Sequence, residues 1–296
     1  MHSQSPLERS RSSRRRARLR AEIVENRAPR IVFFTGAGIS AESGIPTFRD
    51  AGGLWEGMDP NVVASYANWK SNYELVHRFY SERRLSMSQG ILPNAAHRAL
   101  ADWQRRYNAT MITQNIDSLL ELAGCTDVMH VHGRIQDMRC IACGTRWSIT
   151  QTTWNPEADR CPQERCRSRK GVKPDVIFFG ERSAWYKQMY RTLEDLGPND
   201  MLVSMGTSGI VIRIGEIARS LSCRRIFNAL EADIDSLDPK TPVRREDFDR
   251  FIFEPASSAI ASIDAELVAR YGQSLPAPTP EALPSQEPDR DDDRLA

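Results

Sequence analysis

The chain alternates between short apolar runs and longer segments in which apolar residues recur every three or four positions. The run at residues 31–34 is short and β-prone enough for a buried parallel strand. Helical spacing over residues 68–89, and again from Pro93, predicts amphipathic helices. Further strands are predicted at residues 109–113, 128–132, 175–179, 201–205 and 225–227, the last taken as the final strand. The alternation predicts an α/β fold: a Rossmann-like parallel sheet with helices on both faces.

An inserted small domain is predicted where this alternation stops. Residues 134–172 contain two cysteine pairs and little apolar periodicity, which indicates a zinc ribbon, and a helical part is expected beside it. The Rossmann-like domain is then discontinuous and comprises residues 30–133 and 173–272, of which about 52–92 contribute helices to the small domain. Residues 1–29 are expected to form a basic disordered tail, and residues 273–296 an acidic disordered tail.

Composition sets expectations for location and partners. The 296 residues have a formal net charge of +1, and no apolar stretch approaches the ~20 residues of a membrane span. We expect no membrane partner and a cytoplasmic location; the arginine- and serine-rich start allows the mitochondrial matrix as an alternative. The basic tail is expected to contact nucleic acid weakly at most. A monomer is expected.

The cysteines predict one structural zinc ion. Cys140 and Cys143 form a C-x2-C pair, and after seventeen residues Cys161 and Cys166 form a C-x4-C pair. Two such pairs suit four thiolates around a tetrahedral zinc, and a site filled by four sulfurs leaves no position for a substrate. A redox C-x-x-C is the alternative, which the second pair disfavours.

A glycine-rich turn follows the first predicted strand. Gly36, Ala37 and Gly38 begin a G-x-G-x-x-A pattern that ends at Ala41 and leads into a predicted helix. Such a turn allows a diphosphate to approach the backbone closely and to meet the free N–H groups of the helix. Small residues also serve ordinary strand-to-helix turns, so the pattern alone leaves both interpretations open.

Residues 36–50, GAGISAESGIPTFRD, resemble the signature of the sirtuins, which are NAD-dependent protein lysine deacylases. Four further blocks follow in the family's order, so that the resemblance extends over residues 30–270: TQNID at 113–117, HVHG at 130–133, KPDVIFFGE at 173–181 and GTS at 206–208. The resemblance implies that NAD+ is a co-substrate, that acylated-lysine proteins are the partners, and that nicotinamide, free lysine and O-acyl-ADP-ribose are the products.

The resemblance also assigns roles to residues. It makes His132 the general base and Asn115 and Asp117 the other catalytic residues, and His130 is the nearby alternative for the base. The residues expected to bind NAD are Gly36, Ala37, Gly38, Ser40, Glu42, Thr47, Phe48, Arg49, Trp55, Gln114, Asn115, Ile116, Asp117, Gly206, Thr207, Ser208, Asn228, Leu230 and Ala256. The family's adenosine-binding asparagine corresponds either to Asn228 or, if Leu230 and Glu231 are aligned without a gap, to Ala229. Glu254 stands where the family usually has a glycine.

Substrate recognition is expected at two places. The block containing Val176, Phe178, Phe179, Gly180 and Glu181 resembles the segment that pairs with substrate peptide as an added strand. Tyr80 and Arg83, three residues apart, resemble the Y-x-x-R pair of sirtuins that remove succinyl, malonyl or glutaryl groups. A guanidinium binds a distal carboxylate bidentately. The alternative is an ordinary solvated helix surface.

Three functional classes remain at this point. The first is a lysine deacylase that acts on both dicarboxyl and acetyl groups. The second is a sirtuin-like NAD glycohydrolase or mono-ADP-ribosyltransferase, and the third is a non-catalytic NAD-sensing or peptide-binding module. His132, Asn115 and Asp117 disfavour the third class, and the pair Tyr80 and Arg83 favours the first over the second.

Overall fold

A computed structural model describes residues 27–47, 58–149, 153–231 and 240–275. Its strands are β1 (Ile31–Thr35), β2 (Thr110–Thr113), β3 (Met129–His130), β4 (Gly133–Cys140), β5 (Arg146–Ser148), β6 (Val172–Val176), β7 (Met201–Met205), β8 (Arg224–Ala229) and β9 (Arg250–Phe253). Its α-helices are α1 (Gly38–Ala41), α2 (Pro60–Val63), α3 (Tyr73–Ser88), α4 (Ala95–Tyr107), α5 (Leu119–Leu122), α6 (Trp185–Glu194), α7 (Ile214–Arg219) and α8 (Ile260–Tyr271), and one 3-10 turn spans Arg245–Asp247.

The larger sheet is parallel and has helices on both faces, as predicted. Its strand order is β3-β2-β1-β7-β8-β9, which places β1 at the centre with all five residues buried. On one face Phe33 stacks on Trp103 of α4, with ring centroids 5.4 Å apart. On the other face Phe34 belongs to a core with Met189 of α6 and Ala218 of α7. Because both faces are covered, β1 is a continuous apolar run.

The smaller sheet is antiparallel and has the order β5-β4-β6. Helix α3 packs against it, with Val76 and Tyr80 in one core with Ile135 of β4 and Val176 of β6. A hydrogen bond adds to this contact, because the hydroxyl of Tyr73 donates over 2.7 Å to the carbonyl of Arg169, which precedes β6. Helix α3 precedes residues 134–172 in the sequence, but it packs in one core with the sheet that they form.

Several element boundaries differ from the predictions. The strand at 225–227 is not the last, because β9 pairs with it in parallel. The strand predicted at 128–132 has only two residues, and the one predicted at 175–179 is β6, which ends at Val176 and belongs to the small sheet. Helix α3 begins at Tyr73, since residues 66–72 form turns.

The predicted tails lie mostly outside the described residues. At the carboxyl end, residues 273–275 are described, and Leu275 packs against the core while its N–H donates to the carbonyl of Arg106. Among the described residues, no helix combines the length and the apolar character needed to cross a bilayer.

Candidate functional site

Two glycine turns interlock at the carboxyl edge of the parallel sheet. The N–H of Gly36 donates to Met205 over 3.0 Å, and the N–H of Gly38 donates to Gly206 over 2.8 Å. A Cβ at either Gly36 or Gly38 would lie 2.8 Å from the Gly206 carbonyl oxygen. The close packing of the turns after β1 and β7 therefore requires both glycines, whether or not a ligand also approaches them.

Ser40, Asn115 and Asp117 form a buried hydrogen-bond network beside these turns. The amide of Asn115 donates to the Gly36 carbonyl and to the Ser40 hydroxyl, each over 3.1 Å. The Ser40 hydroxyl in turn donates to Asp117 over 2.9 Å. Burial raises the pKa of the Asp117 carboxyl, although the Leu119 N–H and the Ser40 hydroxyl oppose this by hydrogen bonding. The network connects residues 114–117, the QNID block, to the glycine turn at Gly36.

His97 joins this network, although sequence analysis did not select it. Its Nε2 lies 3.4 Å from the Ser40 hydroxyl, and its Nδ1 is within hydrogen-bonding distance of Asn94. The side chain is fully buried, and burial lowers its pKa to about 4, so it is neutral. The sequence signal was present, because Asn94 caps helix α4 and His97 is the third residue after it.

His132 lies between β3 and β4 in the chain, and its ring reaches the residue that follows β2. Its Nδ1 is 3.1 Å from the Gln114 carbonyl oxygen, and its Nε2 is 3.1 Å from the Tyr186 hydroxyl. Because a carbonyl only accepts, Nδ1 carries the proton and Nε2 has the lone pair that accepts a hydrogen bond. Burial lowers the pKa of His132, and the hydrogen bond to Gln114 opposes that effect. The imidazole is thus a neutral base with Nε2 as its accepting atom.

Gly133 explains why glycine follows this histidine. Its φ of 78° lies in the left-handed region, and a Cβ there would overlap the Asp175 carbonyl oxygen of β6. Only glycine permits this turn and this close approach. The orientation of His132 is therefore coupled to the small sheet.

His130 forms hydrogen bonds with a different set of groups, the Asn115 carbonyl and the Glu121 carboxylate. Its Nδ1 lies 2.8 Å from the Asn115 carbonyl oxygen and its Nε2 lies 2.8 Å from Glu121. Burial would raise the pKa of Glu121, but the hydrogen bond and charge of His130 lower it overall. His130 thus supports the backbone of the QNID block.

Two further residues predicted to bind NAD, Gln114 and Asn228, also lie at the ends of strands of the parallel sheet. Gln114 donates to the Thr207 hydroxyl over 2.9 Å. Asn228 is fully buried, its amide nitrogen donates to the carbonyls of Ile252 and Glu254, and its Oδ1 has no hydrogen-bond partner among the residues that the structure describes. A narrow pocket at this edge is lined by Ala37, Ser40, Ile45, Met87, Asn115, Ile116 and Asp117.

Some predicted residues face elsewhere or cannot be placed. Leu230 is 71% exposed, and Ala256 is buried in the core beneath α8. Glu42 accepts a hydrogen bond from the Ser257 N–H over 3.0 Å. Thr47 is the last described residue before a gap, Gly206 and Ser208 follow β7, and Phe48, Arg49 and Trp55 lie outside the described residues.

The predicted peptide segment follows β6 and is held by a buried ion pair. The Lys173 ammonium donates to the Val176 carbonyl over 2.7 Å and lies 3.1 Å from Glu181, which accepts from the Phe178 N–H. Phe178 is buried and Phe179 is 55% exposed. Phe179 also forms an isolated parallel bridge with Ser65, and Gly180 follows with a φ of 84°. The segment is a shaped loop rather than the regular strand that was predicted.

Tyr80 and Arg83 are both buried on α3, so the interpretation as a solvated helix surface is wrong. Arg83 is 6% exposed, its Nη1 donates to the Phe79 carbonyl, and its guanidinium carbon lies 3.3 Å from the centroid of the Phe79 ring. The Tyr80 ring stacks on Phe178, with centroids 5.7 Å apart. Burial raises the pKa of Tyr80, so its hydroxyl is a neutral donor.

The four predicted zinc ligands converge on one point. The sulfurs of Cys140, Cys143, Cys161 and Cys166 all lie within 4.8 Å of one another. Two of the pairs, Cys140 with Cys166 and Cys143 with Cys161, are 3.7 and 3.6 Å apart. Thiolates at about 2.3 Å from a tetrahedral zinc would be about 3.8 Å apart, so the site fits the ion.

Comparison with known proteins agrees with this architecture. Residues 36–213 match the model of the Sir2 family. A Helicobacter hepaticus protein named NAD-dependent protein deacylase is 37% identical over 257 residues, which cover 81% of this chain and 97% of that protein. NAD-dependent protein deacylase 1 of Pseudomonas aeruginosa is 42% identical over 191 residues, covering 62% of this chain and 75% of that one.

Solved structures give the same result. A structure described as a Sir2 homolog–NAD complex superposes with a TM-score of 0.67 at 27% identity, covering 86% of this chain and 94% of the other. A second, from work on the mechanism and regulation of Sir2 enzymes, has a TM-score of 0.62 at 31% identity, covering 86% and 97%. The family model alone matches more than half of the sequence, and the chain belongs to the Sir2 family.

Proposed function

We propose that this protein is an NAD-dependent protein lysine deacylase in which His132 is the general base. The main support is the hydrogen bonding of the imidazole, which fixes the proton on Nδ1 and leaves Nε2 as an acceptor. A neutral, partly buried histidine at the carboxyl edge of a parallel sheet is suited to removing a proton from a hydroxyl near neutral pH. The deacylases that resemble this chain make the same function the first choice.

NAD fits the residues at this edge. The buried Oδ1 of Asn228 is an acceptor without a partner among the described residues, and a ribose hydroxyl would satisfy it. This favours Asn228 over Ala229 for the adenosine ribose. The interlocked turns at Gly36 and Gly206 would bring backbone close to the diphosphate. Bound NAD+ would supply the ribose carbon that accepts the acyl oxygen and the hydroxyl that attacks the acyl carbon.

The protein's own residues then have distinct tasks. His132 would take the proton of the attacking hydroxyl at Nε2. Asn115 and Asp117 would hold the nicotinamide end, because the Ser40 hydroxyl and the Gly36 carbonyl fix the orientation of the Asn115 amide. Zinc would hold the small sheet in shape and take no part in the reaction, since all four of its positions would be filled by sulfur.

The acyl preference would come from α3. Arg83 is buried with its guanidinium over the Phe79 ring, a carboxylate is the strongest hydrogen-bonding partner for such a group, and Tyr80 offers a neutral hydroxyl one helical turn earlier. Tyr80 also contacts Phe178 of the segment expected to bind peptide. These observations support a dicarboxyl acyl-lysine, succinyl or malonyl, as a substrate beside acetyl-lysine, with acylated proteins as the partners.

The acyl proposal is tested with succinyl-lysine and acetyl-lysine peptides, each with and without NAD+. Arg83→Met should lower kcat/KM for the succinyl peptide by about ten- to a hundredfold, because a charge-assisted hydrogen bond is lost, and should leave acetyl turnover nearly unchanged. Arg78→Met is the matched control, since Arg78 lies on the same helix but is exposed. An equal loss for both peptides would make Arg83 structural.

The role of His132 is tested by His132→Ala. We expect deacylation to fall by about a hundred- to ten-thousandfold while zinc content and thermal stability stay near those of the wild type. Persistent deacylation would contradict the assignment of the base. If the wild type released nicotinamide from NAD+ without deacylating either peptide, the glycohydrolase or ADP-ribosyltransferase alternative would replace the proposal.

A further inference from the structure

Tyr186 contacts His132 from the first turn of α6. Its hydroxyl lies 3.1 Å from Nε2, and the two rings meet edge to face with centroids 6.2 Å apart. Nothing in the sequence distinguishes this tyrosine from its neighbour Tyr190 on the same helix. Only the folded chain brings it to the base.

The start of α6 is anchored to the segment that contains the histidine. The Ser183 hydroxyl donates to the Val131 carbonyl over 2.7 Å and accepts from the Trp185 N–H over 3.2 Å. Val131 directly precedes His132, and the anchor is buried. The fold therefore determines the distance from Tyr186 to the imidazole, so the contact is not a chance approach of a mobile surface side chain.

Proton positions give this contact a direction. Nδ1 of His132 donates to the Gln114 carbonyl, so Nε2 has one lone pair and no hydrogen. Burial raises the pKa of Tyr186, and the nearby Tyr190 adds to the effect, so the phenol keeps its proton. The Tyr186 hydroxyl is then the donor and Nε2 the acceptor.

We propose that the Tyr186 hydroxyl caps the proton-accepting atom of His132 in the ligand-free protein and must leave before the base can act. The cap occupies the lone pair that a substrate hydroxyl needs, so the two donors exclude each other. A neighbouring cavity of about 370 Å³, lined in part by Tyr186, Tyr190, Val211 and Ile212, gives the ring space to move into. The inference rests on the proposed function, because it assumes that His132 accepts a proton during the reaction.

The test removes the hydroxyl and keeps the ring. Tyr186→Phe should raise kcat/KM for NAD-dependent deacylation by about three- to tenfold on the pH plateau, because one competing hydrogen bond is lost. The cap stabilises the neutral imidazole, so its loss should raise the pKa of His132 and move the acidic limb of the kcat/KM profile to higher pH. Tyr190→Phe is the control, since it lines the same cavity and is not the hydroxyl bonded to His132.

A second readout does not depend on turnover. The imidazole ¹⁵N resonances of His132, assigned by comparison with His132→Ala, are titrated in the ligand-free wild type and in both phenylalanine variants. A rise in the pKa of His132 in Tyr186→Phe alone supports the cap, even if no deacylation is found and the proposed function fails. An unchanged or lower pKa of His132, or a fall in plateau kcat/KM in Tyr186→Phe, would overturn the inference.

Discussion

The two sheets of this protein are held together by different means. The parallel sheet is covered on both faces by extended apolar cores, and β1 is buried along its whole length. Among the described residues, the small sheet contributes Ile135 and Val176 to the buried core that it shares with α3, and the separate cluster at its cysteines contains only Met138, Cys140, Trp154, Cys161 and Val172. Two of these five are cysteines of the proposed zinc site. We therefore expect apolar burial to be sufficient for the parallel sheet with its helices (the large body), whereas the small sheet (the small body) should depend on its metal in addition to its contact with α3.

Function follows the same division. The proposed base, His132, and the QNID block lie at the edge of the parallel sheet where its strands end. The segments expected to contact the acyl group and the peptide lie on α3 and after β6, both of which pack with the small sheet. The reacting groups would then be positioned by the stable body, and substrate choice would depend on the metal-dependent one.

Removing the metal should produce the largest difference in stability between the two sheets. Cys161→Ser replaces a fully buried ligand, and we expect it to abolish zinc binding and amide-exchange protection in β4 and β6. The stability at stake is large, since structural zinc sites contribute on the order of 10 kcal/mol to folding. Protection in β1 and β7 should persist. Joint loss of protection in all four strands would show that the two bodies fold as a single unit.

The buried cysteine Cys223 offers a matched control in the large body. It lies outside the metal cluster and packs in the core with Leu202 and Phe227. Cys223→Ser should keep the full zinc content and lower stability by about 1–3 kcal/mol, because a hydroxyl replaces a thiol in an apolar site. A loss of zinc in this variant would mean that metal binding requires the intact large sheet.

The junction between the two bodies should give the next largest effect. At Gly133 a Cβ would overlap the Asp175 carbonyl oxygen, and the φ of 78° disfavours any side chain. Gly133→Ala should therefore cost roughly 4 kcal/mol of stability and reduce turnover through displacement of His132. Gly180→Ala is a useful comparison, since that glycine also has a positive φ but a Cβ there has open space. Denaturant unfolding and kcat/KM of both variants test this.

The sequence was most informative where chemistry requires a fixed spacing. The four cysteines and the turn at Gly36 could be placed because metal geometry and close backbone approach restrict the residue types allowed. Strand β6 was assigned to the wrong sheet because residues 175–179 continue the alternating pattern of strands and helices, whereas β6 spans Val172–Val176, pairs with β4 and contains the fully buried Lys173. Tyr186 could not be found, because its role depends on a contact 54 residues away in the sequence. Pairings between distant segments are what local periodicity does not contain.

A smaller effect, common to both bodies, should appear on acidification. His77 lies between α3 and the small sheet, and its Nε2 is 3.0 Å from the Val172 carbonyl oxygen, while His97 lies beside Ser40 in the large body. Burial lowers the pKa of each from 6.5 to about 4. The unfolded chain therefore binds protons that the folded chain does not, and stability is complete above about pH 6.5 and is lost as pH falls toward 4.

Over that window of 2.5 pH units each histidine accounts for a loss of up to about 3 kcal/mol. His77→Gln and His97→Gln keep a polar side chain that does not titrate, so each should flatten its own share of the pH dependence. Amide exchange measured from pH 7 to pH 5, with zinc content checked at each step, would assign the shares: protection in β4 and β6 should respond to His77, and protection in β1 and β2 to His97. If either variant flattened the response of both sheets, the two bodies would not lose stability independently, and the division between a self-sufficient sheet and a metal-dependent one would have to be given up.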